Sequence, residues 1–140
     1  MSPSHPPGRP PLASNAATEE WFNMLAERAL ATIPAELRRH VANVAIQVDD
    51  FPSEETRAEM ALDSPYDLLG LYQGVSLDQR SVFHVHEEPD RIFLYRLPIL
   101  AYCEDTGESL ERVVRHVLIH EIGHYFGFSD DDMAAIETNE

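Results

Sequence analysis

Apolar residues recur at helical spacing in two long stretches of the chain, and they alternate or cluster in shorter runs between them. Trp21, Phe22, Leu25, Ala29, Leu30 and Ile33 fall at intervals of three and four, the period of one helix face. Thr18 precedes Glu19 and Glu20, a hydroxyl and two acids that suit the open N–H groups and positive end of a helix start. The pattern predicts a helix from residue 19 that buries this stripe. Pro34 interrupts it, and 34–39 adds a short helical turn. Ala42, Val44, Ile46 and Val48 alternate with smaller or more polar neighbours, which predicts a strand over 41–48 that breaks at Asp49 to Pro52. Ser53, with Glu54, Glu55 and Thr56 behind it, opens a short helix to about residue 61. Leu68 to Tyr72 reads as a second strand, 82–86 as a strand or an ordered loop, and Ile92 to Leu97 as a strand stopped by Pro98. Asp105 or Thr106 then caps a long helix with Glu108 in its first turn. Leu110, Val113, Val114, Val117, Leu118, Ile122 and Tyr125 form its buried stripe, and Gly127 ends it. A last short helix falls within 129–140. This order of elements predicts an α+β domain.

At 140 residues the chain is one domain, large enough for a true core. Residues 1–17 hold half of the prolines and show no hydrophobic period, so they read as an extended or disordered tail ahead of a folded unit over 18–140. The formal net charge is −15, which opposes nucleic acid or an anionic membrane as partner. Cys103 is the single cysteine, which excludes an internal disulfide and a cysteine-rich zinc site. The N-terminal stretch lacks the apolar core of a secretory signal, and no apolar run is long enough to span a bilayer. A cytoplasmic location is the expectation.

The chemistry concentrates at the end of the second long helix. His120-Glu121-Ile122-Gly123-His124 continues through Gly127 to Asp130, giving H-E-x-x-H-x-x-G-x-x-D. Histidines four apart lie one helical turn apart on one face and reach one metal ion. A catalytic zinc takes three protein ligands and keeps one position for water. His120 and His124 supply two. Gly127 permits the turn that brings later residues back, and Asp130 is the candidate third ligand. Asp131, Asp132 and Glu137 are alternatives, and Asp130 also suits the cap of the last helix. Glu121 is the candidate general base toward water that the metal activates. Ordinary exposed histidines would give the same spacing by chance, but here the spacing falls on a capped amphipathic helix.

Other polar residues carry weaker signals. His116 extends the histidine face by one turn and flanks the site. His84 and His86 fit one face of a strand and read as exposed. Glu87, Glu88 and Asp90 read as a solvated turn. Tyr95, Arg96 and Tyr102 could polarise a carbonyl or simply pack. Gly123, inside the helix, reads as a point of close approach, and Cys103 as a small core residue.

The tract His120 to Asp130 resembles the zincin metallopeptidases, in the extended pattern where aspartate replaces a third histidine. The wider chain is similar to a small bacterial zincin-like metallopeptidase family. The matching pieces are Leu68-Leu69-Gly70-Leu71-Tyr72-Gln73-Gly74, Ile92-Phe93-Leu94-Tyr95-Arg96, and Val117 to Gly127 with Asp130. That resemblance implies a minimal zincin fold, a small twisted sheet packed against the metal helix. It implies one Zn2+ held by His120, His124 and Asp130, with Glu121 as catalytic base. Metzincins carry a separate methionine turn well after the third ligand, whereas this sequence has only Met133 close behind Asp130.

The expected function is a zinc-dependent peptidase acting on a peptide or unfolded protein laid along an edge strand. The rival is a zincin-like module that binds metal or a partner without catalysis. Two histidines and a carboxylate also suit non-haem iron, a third reading that Glu121 disfavours.

Overall fold

The computed structural model describes residues 18–41, 44–74 and 90–127. Helix α1 (Glu19–Leu30) begins at the expected cap, where the Thr18 hydroxyl accepts a hydrogen bond from the Trp21 N–H at 3.2 Å. Phe22, Leu25, Ala26 and Ala29 are its buried residues. Trp21, expected in that stripe, is 37% exposed. It lies about a quarter-turn round the helix from the stripe's centre, so its ring reaches only the flank. Helix α2 (Ala35–Arg38) follows Pro34, and a single 3-10 turn covers Arg39–Val41.

Strand β1 (Ala45–Asp49) starts later than the alternation predicts. Val41 belongs to the 3-10 turn and its carbonyl accepts the Val44 N–H. Sheet pairing therefore begins only where the Ala45 N–H donates to the Asp90 carbonyl at 2.9 Å. Helix α3 (Glu54–Glu59) is capped by the Ser53 hydroxyl, which accepts from the Thr56 N–H. Strand β2 (Gly70–Gln73) and strand β3 (Arg91–Tyr95) complete the sheet.

The strand order is β1-β3-β2. β1 pairs with β3 in parallel, Ala45 opposite Arg91 through Asp49 opposite Tyr95. β2 runs antiparallel to β3, Gly70 opposite Leu94 through Gln73 opposite Arg91. Among the described residues β2 is thus an edge strand.

The segment after β3 corrects the expectation of a strand that runs to Leu97 and is stopped by Pro98. Helix α4 (Arg96–Thr106) begins directly after Tyr95. Pro98 occupies its third position, where the missing N–H would have had no intrahelical partner. Pro98, Ile99, Leu100 and Cys103 are buried. Gly107, at φ 77°, then stops α4 in the left-handed conformation that glycine adopts without steric cost.

Helix α5 (Leu110–Phe126) packs against α1, α4, β2 and β3. All seven residues of its predicted stripe are buried, and they meet Phe22 and Leu25 of α1 with Ile92 and Leu94 of the central strand in one core. The result is the expected α+β architecture, a small sheet against one long helix. Among the described residues no helix is long and apolar enough to cross a membrane. The tail over 1–17, the strand or loop over 82–86 with His84 and His86, and the last helix over 129–140 lie outside the described residues.

Candidate metal centre

The start of α5 is set by Ser109, whose hydroxyl accepts the Arg112 N–H at 3.2 Å. Asp105 and Thr106, the expected caps, belong to α4, because left-handed Gly107 separates the two helices. The end falls at Gly127 as expected, at φ 74°. Between these ends His116, His120 and His124 follow one another at single turns. The ring centroids of His120 and His124 are 4.9 Å apart, and those of His116 and His120 are 6.2 Å apart. His120 is half-buried, while His116 and His124 are exposed.

Glu121 differs from these histidines. Its residue exposure is 7%, and its carboxylate is held from across the fold. The backbone N–H of Tyr72, in β2, donates to Glu121 Oε1 at 2.8 Å. The same oxygen lies 3.2 Å from His124 Nδ1. A buried carboxylate with such donors avoids much of the cost of leaving water. With Nδ1 turned toward the carboxylate, Nε2 is the nitrogen His124 has left for a metal.

Two residues outside the motif make this contact possible. Gly70 is buried where β2 passes α5. A Cβ there would stand 2.5 Å from Val117 Cγ1 and 2.9 Å from the Phe93 carbonyl oxygen. Tyr72 is anchored in turn by its own side chain. Its hydroxyl donates to Asp90 Oδ2 at 3.1 Å, and its ring meets Tyr125 edge-on at 5.8 Å. Asp90 is therefore no part of a solvated turn, since it is only 5% exposed. A buried carboxylate is kept inside by such partners.

The histidine face opens into a cleft of about 320 Å³. Its wall includes His116, His120, Glu121 and His124 on one side and Leu68 to Leu71 on the other. Tyr95, Arg96 and Tyr102 are not among its lining residues. Arg96 Nε donates to Asp50 Oδ1 at 2.8 Å, and Tyr102 faces solvent. Tyr95 is buried, and its hydroxyl pKa is pushed up from 10.0 to about 12, by burial first and then by the charges of Asp49 and Glu121. Cys103 is a buried core residue, as expected.

The donor chemistry suits a divalent metal. Two imidazoles one turn apart share an open cleft with a buried carboxylate beside them, and two nitrogen ligands on a helix face are what a zinc site takes from such a motif. Asp130 and the alternatives Asp131, Asp132 and Glu137 lie outside the described residues. Among the described residues no three histidine, cysteine or acidic side chains gather as a complete metal site.

The model of the zincin-like metallopeptidases matches residues 41–139. The chain belongs to that family. No curated protein matches it significantly. The matched region of this zincin-like chain takes in the whole sheet, α5 and the segment that carries Asp130. Family membership brings with it zinc as the expected ion, in agreement with the paired imidazoles. Tyr72, Gly70 and Asp90 are the positioning residues that motif reading misses. Only the glycine inside an apolar run hinted at a close backbone approach.

Proposed function

We propose that this zincin-like protein is a zinc-dependent peptidase in which Glu121 is the general base and His120, His124 and Asp130 hold the metal. The observation that carries the reading is the buried Glu121 carboxylate, fixed by the Tyr72 N–H on the wall of the cleft that His120 and His124 share. Zinc held there supplies a Lewis acid that polarises a scissile carbonyl and acidifies water.

The chain's own residues account for the rest. Glu121 takes the proton of the attacking water and delivers it to the leaving amine, which turns a poor leaving group into a neutral one. The Tyr72 N–H keeps one carboxylate oxygen in place, so the other is the one that handles the proton. The backbone of β2 supports an extended peptide. In an antiparallel pair successive residues point their N–H and C=O groups to opposite sides. Leu69 accepts from Tyr95 on the β3 side, so Gly70 and Tyr72 face away from it. A peptide laid along that edge pairs at Gly70 and meets Glu121 at Tyr72. A short or unfolded peptide is the substrate such an edge accepts.

The test uses the full chain. Elemental mass spectrometry of tag-free protein is expected to find close to one zinc per chain, and a peptide mixture is expected to be cut. Glu121→Gln should keep the zinc and the fold while hydrolysis falls by roughly 10²- to 10⁴-fold. Failure to take up zinc at neutral pH, or undiminished cutting by Glu121→Gln, would refute the proposal. Zinc uptake without cutting of any peptide would leave a metal-binding module.

A further inference from the structure

The cleft has two unlike walls. From α5 the lining takes His116, His120, Glu121 and His124 with Val117 among them, whereas Leu68, Leu69, Leu71 and Met60 line the other side with no charged group. Met60 is 46% exposed, an unbranched side chain left at the surface where α3 ends. The turn that leaves it there is specific. Ala61 adopts φ 52°, a left-handed conformation that costs a residue with a Cβ about 1–2 kcal/mol. The Leu62 N–H donates back to the Arg57 carbonyl and the Ala61 N–H to the Ala58 carbonyl, closing the helix end beside the cleft.

We infer that the cleft selects substrates with a bulky apolar side chain, such as leucine, methionine or phenylalanine, next to the bond cleaved, and that Met60, Leu68 and Leu69 form the pocket that receives it. The inference rests on the peptidase reading for the position of that bond. Three observations fix the occupant. The cavity, at about 320 Å³, is at the small end of ligand pockets and suits one large side chain in place of a folded partner. The apolar wall continues directly into β2, and a peptide paired with that strand as proposed above would point alternate side chains to opposite sides. Among the described residues the cleft wall has no lysine or arginine, and its one carboxylate is Glu121. On the Leu68 to Leu71 side a charged side chain, acidic or basic, gives up its water and finds no charged partner in exchange. A leucine, methionine or phenylalanine gains from leaving water without that penalty. Methionine at the rim adapts to all three shapes.

The experiment uses full-length Glu121→Gln, which holds a peptide without cutting it, and a peptide series Gly-Gly-X-Gly-Gly blocked at both ends. Binding is followed by NMR shifts of the protein amides, which register millimolar affinities. Leucine, methionine and phenylalanine at X are expected to bind roughly 10- to 100-fold tighter than serine, aspartate or arginine. Met60→Asp, at an exposed position, should keep the melting temperature and lose most of that preference, and Leu68→Ser should do the same. Equal affinity across the series, no binding at all, or a preference that survives both substitutions would overturn the pocket. In parallel, the unsubstituted chain is given a peptide mixture and the cut sites are read by mass spectrometry. Apolar-selective binding without cutting would keep the pocket and sink the peptidase reading. Cutting with no side-chain preference would do the reverse.

Discussion

A methyl group on Gly70 would press on Val117 Cγ1 and on the Phe93 carbonyl, so Gly70→Ala forces β2 and α5 apart or distorts one of them. Overpacking of this kind costs roughly 1–3 kcal/mol, which lowers the melting temperature by several degrees for a domain of this size. Hydrolysis should fall further than the lost stability explains, because Glu121 is held by the Tyr72 N–H only while the two elements stay close. Thermal unfolding and peptide cutting, measured together on Gly70→Ala, check this; a variant unchanged in both would contradict the close approach. At this scale the sequence was readable where function is written in side chains. His120, Glu121 and His124 announce themselves by type and spacing. The donor that holds Glu121 does not, because a backbone N–H looks the same at every position and this one lies 49 residues away in the chain. Asp90 is obscured for a similar reason, since two neighbouring glutamates make it look like part of a solvated run, whereas its contact with Tyr72 across the sheet helps to keep it buried.

At the scale of elements, α5 carries His120, Glu121 and His124, and Ser109 sets its start. Ser109→Ala should cost about 1 kcal/mol and speed amide exchange in the first turn of α5, measured by hydrogen exchange with mass spectrometry. Asp105→Ala should leave that turn unaffected. The reverse ranking would restore the earlier cap that the sequence pattern favours. Helices α1 and α5 were legible from their long apolar stripes, and α3 from the Ser53 cap and the acids behind it. Helix α4 was not. Its Ile99, Leu100 and Cys103 share a face, but Pro98, Ala101 and Tyr102 lie opposite them so that no polar side stands out, and its proline reads as a stop unless the helix is known to have begun two residues earlier. Strand ends shifted as well, because alternation cannot tell where a 3-10 turn hands over to a ladder.

At the scale of the whole molecule, the sheet has a far face. Ile92 and Leu94 point into the core with α5, and the alternation of the strand sends Phe93 and Tyr95 the other way, their rings stacked 6.0 Å apart. Tyr95 gives the domain a weakness to alkali. Its folded pKa of about 12 lies above the ordinary 10.0, so the neutral phenol is favoured by folding. That contribution is complete below pH 10 and is lost as pH rises through about 12. Denaturant unfolding at pH 9 and at steps up to 12 should show stability falling through this window, with a shallower fall in Tyr95→Phe. Equal slopes in the two proteins would remove Tyr95 from the account. The α+β plan itself was legible from the order of patterned segments, because a small sheet and one long amphipathic helix have few other ways to bury their apolar faces. The contact between Glu121 and Tyr72 has one more consequence. A strand at the rim of a sheet, with open N–H groups, is a template on which other chains add and aggregate. By occupying one of the outward donors of β2, Glu121 withdraws part of that template from self-association.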